Sequence, residues 1–119
     1  MTRPIAALAV FSTLLFASDK FTDDRVAPIL IKRCLGCHND ELKDGDISFN
    51  DRESVLRGGK RSPAIVPGNP ENSILIQAVR GEGDLRMPPG PSLSKREIAI
   101  LTDWVKRGAP WSGKLQPKP

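Results

Sequence analysis

At 119 residues, with 39% hydrophobic and 27% charged, the chain has the size and balance of one small soluble domain rather than two. A formal net charge of +4, with no long basic run and no interleaved aromatics, excludes a dedicated nucleic-acid binder. Aromatic residues make up 5%, tyrosine is absent, and 10 Gly and 11 Pro interrupt the chain, so its own side chains make a thin core that a buried cofactor would complete.

In chain order, Arg3 precedes an unbroken run of apolar and small residues from Ile5 to Ala17, which then meets Asp19 and Lys20. This predicts an export signal over residues 1–18 and hence a periplasmic protein. A membrane-spanning helix needs about 20 apolar residues, and this run is shorter. Large residues stand three positions before both plausible cuts, in Leu15-Phe16-Ala17 and Phe16-Ala17-Ser18. The cleavage position is therefore open, and an uncleaved leader would give weak membrane association.

Asp23 and Asp24 lead into Val26, Leu30, Arg33, Cys34 and Cys37 at helical spacing. Pro28 is tolerable only in a first turn, so the spacing predicts a helix from near Asp24 into the cysteines. Residues 39–50 are polar and turn-rich and read as a loop, with Ile47 and Phe49 turned inward. Asn50 with Glu53 predicts the cap of a short helix through Val55 and Leu56, stopped by Gly58-Gly59. The neighbouring cluster Arg57, Lys60 and Arg61 reads as a solvated loop. Beyond a proline-bounded extended stretch, Asn69 as cap and Pro70 in first position predict a helix whose stripe is Ile74, Leu75, Ala78 and Val79, ended by Gly81. Ser94 and Glu97 form a capping box for a last helix with Ile98, Leu101 and Val105 on one face, Ile100 and Trp104 beside it, and Gly108 and Pro110 as stops. Residues 112–119 read as a flexible tail. The fold class is all-α, about four helices joined by long loops.

Both cysteines and the only histidine fall in "KRCLGCHND". Cys34 and Cys37 followed directly by His38 have the spacing of c-type haem attachment. The two thiols would bond the two vinyl groups of one porphyrin as thioethers, while His38 presents a ring nitrogen to the iron. A zinc site would need four side-chain ligands and so a carboxylate to complete it. A thioredoxin-like pair would want a strand before it, and a structural disulfide gives His38 no role. With Met1 in the leader, Met87 in "GEGDLRMPPGPSLS" is the candidate for the second iron position, held on a loop that Pro88 and Pro89 stiffen. Filling both positions leaves electron transfer, not catalysis, as the expected role. The alternatives are a thiol-disulfide protein using Cys34 and Cys37, and a haem sensor or peroxidase in which Met87 leaves the iron free.

The segments "VAPILIKRCLGCHN", "RESVLRGGKRSPAIVPGNPENSILIQAV" and "RMPPGPSLSKREIAILTDWVKRGAPW" resemble the planctomycete-type cytochrome c domain over residues 21–111. The resemblance implies a small cytochrome c fold wrapped around one covalent haem c, with Cys34 and Cys37 as thioether residues, His38 as proximal ligand and Met87 as distal ligand. It further implies that helices around Val26 to Cys37 and Glu97 to Arg107 form a crossing terminal pair. In that family the domain commonly begins a much larger polypeptide, whereas this chain stops soon after Trp111. The expectation is either a free carrier or a haem subunit of a larger dehydrogenase complex, with redox proteins as partners and no small-molecule substrate of its own. Trp104 and Trp111 are candidates to meet the porphyrin edge or a propionate, with core packing the preferred role for Trp104. Arg86, beside Met87, is a candidate to offset propionate charge. His38 is expected to donate its other ring N–H to a carbonyl or similar acceptor.

Overall fold

The first helix starts earlier than its proline implied. A computed structural model of the chain describes residues 19–42, 44–59 and 63–116, so the leader at 1–18, Lys60 and Arg61 lie outside the described residues. Lys20 and Phe21 are already helical, Thr22–Val26 winds as a π-helix, and α1 (Ala27–Arg33) follows with Pro28 in its first turn. In a regular helix the Pro28 ring would clash with the carbonyl four residues back, and the wider π turn ahead of it removes that conflict. The Asp19 carboxylate accepts the Thr22 N–H at 2.7 Å, and this bond holds its acid strength above that of an ordinary carboxyl.

Nor does α1 continue into the cysteines. Cys34 has left helical angles at φ −123°, the Leu35 N–H reaches back to the Leu30 carbonyl at 2.8 Å, and the His38 N–H donates to the Cys34 carbonyl at 3.1 Å. Residues 34–37 are thus consecutive turns rather than a helical face.

The next helix, α2 (Arg52–Arg57), is capped by Asp51 and not by Asn50. The Asp51 side chain accepts the Ser54 N–H at 2.8 Å, while Asn50 accepts the Asp40 N–H and donates to the Leu115 carbonyl. Burial raises the Asp51 pKa, but the hydrogen bonds from Ser54, helped by Lys114 and Arg57, outweigh it and leave the carboxyl below its ordinary value of 3.8. A carboxyl depressed on folding contributes stability above its unfolded pKa and loses it as pH falls through the folded one. Asp51→Ala should therefore cost about 1 kcal/mol at neutral pH. Asp51→Asn, which keeps a cap but does not titrate, should flatten the loss of stability below pH 3.8 in thermal melts.

Where one helix was expected from Asn69 there are two pieces. Pro70–Asn72 is a 3-10 turn capped by Asn69, Ser73 breaks the path, and α3 (Ile74–Arg80) begins after it. Ser73 is fully buried, with its hydroxyl donating to the Asn69 carbonyl at 2.9 Å and accepting the Val66 N–H at 2.9 Å. Those bonds hold it in extended geometry. Gly81 then ends α3 in the left-handed region at φ 71°. The last helix, α4 (Lys95–Lys106), carries the full capping box, with Ser94 Oγ accepting the Glu97 N–H at 3.1 Å and Glu97 Oε1 accepting the Ser94 N–H at 2.9 Å.

Among the described residues the fold is all-α, with four helices and no strand. The π segment and α3 both pack on α4, which buries Leu101, Trp104 and Val105 completely. The Trp104 indole N–H and the Thr22 hydroxyl both donate to the Pro110 carbonyl, at 3.1 Å and 2.8 Å, and so lock the first helix to the turn after the last. The chain beyond Trp111 is anchored at Leu115, which is buried and exchanges hydrogen bonds of 2.7 Å and 2.9 Å with Asn50.

Candidate functional site

Away from that locked core, four stretches of chain enclose a cavity of about 340 Å³: the end of α1 with its turns, the 44–49 loop, α3, and the 85–93 loop. Its walls are mostly apolar and include Ile47, Phe49, Leu75, Val79, Leu85 and Leu93. The stripe expected on α3 therefore serves this cavity as well as the core. Cys34, Cys37, His38 and Met87 all line it, although the first three lie far from Met87 in sequence.

His38 is held at both backbone and ring. The Phe49 N–H donates to the His38 carbonyl at 2.7 Å, and the Phe49 ring meets the imidazole edge-on with centroids 5.8 Å apart. His38 Nδ1 lies 2.8 Å from the carbonyl oxygen of Asp44. A carbonyl only accepts, so Nδ1 carries the hydrogen and Nε2 keeps a free lone pair for a metal. Asp44 is itself fixed, since its N–H bonds the Cys37 and Leu42 carbonyls at 3.2 Å and 3.0 Å. The turn it begins, Asp44–Asp46, is packed against Gly59, where an added side chain would run into the Gly45 carbonyl.

Both cysteines are free thiols, Cys37 exposed and Cys34 half-buried. Burial pushes the Cys34 thiol up to about 12, against the pull of Arg33 and with Glu97 adding to the rise. This is the reverse of what activates a redox thiolate. Among the described residues no three His, Cys, Asp or Glu side chains gather to hold a metal ion, so Cys34, Cys37 and His38 find no carboxylate to complete a zinc site.

Met87 is half-buried, and its N–H donates to the Ala78 carbonyl at 3.0 Å, which ties the start of its loop to the end of α3. Arg86 is exposed, donates to the Ser92 hydroxyl at 3.2 Å and is not part of the cavity wall. Neither tryptophan lines the cavity: Trp104 and Trp111 lie in the core with ring centroids 6.1 Å apart. The Trp111 indole N–H is buried without a protein acceptor, but on the core side.

Three contributors were given no place in the site by the sequence. They are the Asp44 carbonyl, Gly59, and Arg33, whose guanidinium borders the cavity and donates to the Pro91 carbonyl. Only the position of Arg33 beside Cys34 offered a hint.

The donor set and walls fit one kind of occupant. Two thiols, one imidazole nitrogen with a free lone pair and one soft thioether on an apolar surface suit a flat, largely apolar iron porphyrin, and the volume lies in the range of cofactor sites. Residues 34–91 match the family described as Planctomycete cytochrome C. No curated protein and no solved structure gives a match.

Proposed function

We propose, from the planctomycete-type cytochrome c domain that this chain carries, that it is a monohaem electron carrier working outside the cytoplasm. Cys34 and Cys37 would hold the haem covalently, and His38 and Met87 would ligate its iron. The observation that supports this reading is the convergence of all four side chains on one apolar cavity. Attachment there would join each thiol sulfur to a vinyl carbon and pass the thiol hydrogen to the neighbouring carbon, so it would consume no oxidant.

Bound there, haem supplies a reversible one-electron iron couple. The chain's residues tune it. Asp44 holds the His38 hydrogen on Nδ1, which leaves the Nε2 lone pair free and strengthens it as a ligand. The Met87 thioether favours ferrous iron, and the apolar walls disfavour the extra charge of the ferric state, so both raise the reduction potential. With His38 and Met87 both engaged, no iron position is left for oxygen or peroxide. These roles are the same whether the carrier diffuses freely or docks on a separate oxidoreductase as its haem subunit, and its donors and acceptors are redox proteins. Export rests on the leader read at residues 1–18; among the described residues no helix is long and apolar enough to cross a membrane.

Expression in a host with cytochrome c maturation, followed by intact mass and visible spectroscopy, tests attachment. Met87→Ala tests ligation. The reduced wild type should not bind carbon monoxide and the variant should bind it stoichiometrically with a lowered potential. Equal binding by both proteins would sink the carrier reading in favour of a sensor or peroxidase. A colourless product with two titratable thiols would favour thiol-disulfide chemistry, against which the raised pKa of the half-buried Cys34 thiol already argues.

A further inference from the structure

The loop that follows Met87 has almost no means of fastening itself. Residues 88–91 read Pro-Pro-Gly-Pro, so Gly90 alone among them has a backbone N–H to donate. The loop is tied at its start, where Met87 bonds Ala78, and again at the cap of α4. Between these points Arg86 bonds the Ser92 hydroxyl from within the loop and Leu93 packs in the core, while the proline carbonyls depend on a donor from outside the loop. Arg33 is that donor. Its Nη2 donates to the Pro91 carbonyl, joining positions 58 residues apart. Its Nε is buried without a protein partner, so the guanidinium is held at the cavity wall rather than swept through solvent.

We propose that Arg33 is a positioning residue, a strap that holds the proline loop, and with it Met87, against the cavity. Arg33 precedes Cys34, so the strap couples the segment that attaches haem to the segment that supplies the second ligand. The inference rests on the haem reading above, but the strap has its own readout. Cutting it should loosen the Met87 loop while leaving Cys34, Cys37 and His38 engaged.

The test uses holo protein carrying Arg33→Leu or Arg33→Lys. Intact mass should show haem in both. In Arg33→Leu the Met87 amide, hydrogen-bonded to the Ala78 carbonyl, should exchange about tenfold faster than in the wild type, the scale of one charge-assisted hydrogen bond. The pH at which the methionine-to-iron absorption band of the ferric protein disappears should fall by about one unit, the same tenfold factor. Amides of α4, such as Leu101 and Val105, should not change, which separates a loosened loop from a destabilised fold. Arg33→Lys, with a single compact charge, should lie between. Unchanged loop exchange and an unchanged pH of band loss in Arg33→Leu would overturn the strap. A wild type without haem mass overturns the haem reading alone if the Met87 amide still exchanges faster in Arg33→Leu, and overturns both if it does not.

Discussion

Changing both Cys34 and Cys37 to alanine should yield a chain with no covalent haem and no cooperative fold. The cavity those residues border measures about 340 Å³, and at about 24 cal/mol per Å³ an empty, unrelaxed space of that size would cost about 8 kcal/mol. The mouth admits water and the lining relaxes, so the true cost is lower. Even part of it matters against the roughly 5–15 kcal/mol that holds a domain of this kind together. The loss should be uneven. Leu101, Trp104 and Val105 pack against the first helix on the far side and do not line the cavity, whereas Phe49, Leu75, Val79 and Leu93 form its wall. Residual helicity near α4 with disordered 44–59 and 85–93 loops is the expected product. Circular dichroism melts beside intact mass would report it, with the single variant Cys37→Ala keeping one bond and an intermediate melting temperature. A haem-free double variant that melts as sharply as the wild type would refute this dependence.

What was legible in the sequence was what is local. The Ser94–Glu97 box and the Gly81 stop lie within one turn of the helix ends they set, and the structure has them where the residues put them. The misread boundaries depend on bonds and turns that the residues at those positions do not announce. Asn50 looked like a cap because nothing in its neighbourhood reveals that its amide is committed to Leu115, 65 positions away. Ser73 interrupts an apparently continuous helix because its hydroxyl bonds Val66 and Asn69. Pro28 fits a longer helix than expected because a π turn precedes it, a feature without a sequence signature. The same division runs through the site. The Cys34, Cys37 and His38 spacing could be read directly, and Met87 by elimination, but the acceptor for His38 is a backbone carbonyl, which carries no residue identity, and a strap between Arg33 and Pro91 is a fact of tertiary structure.

Gly59→Ala should lower stability and disturb His38 at the same time. Gly58 and Gly59 are adjacent but needed for different reasons. Gly58 closes α2 at φ 73°, where a side chain strains the backbone, while at Gly59 an added carbon would collide with the Gly45 carbonyl oxygen and crowd the carbonyl carbons of Gly45 and Asp46. Those are backbone atoms, which unlike the tip of a side chain cannot rotate aside. The Asp44–Asp46 turn must then move, and with it the carbonyl 2.8 Å from His38 Nδ1. Overpacking of this kind typically costs about 1–3 kcal/mol, and loss of the outer partner of a metal-bound histidine weakens metal binding about 10–100-fold. The sign at the iron also follows: a His38 without its carbonyl partner is a weaker ligand and supports the ferric state less well, so the reduction potential should rise as stability falls. Gly58→Ala should lower the melting temperature with little change in potential. Gly36→Ala, inside the attachment segment but facing open space with no positive φ, should change neither. Redox titration and melting of the three variants separate these outcomes, and a Gly59→Ala protein with wild-type potential and stability would mean that the turn does not position His38.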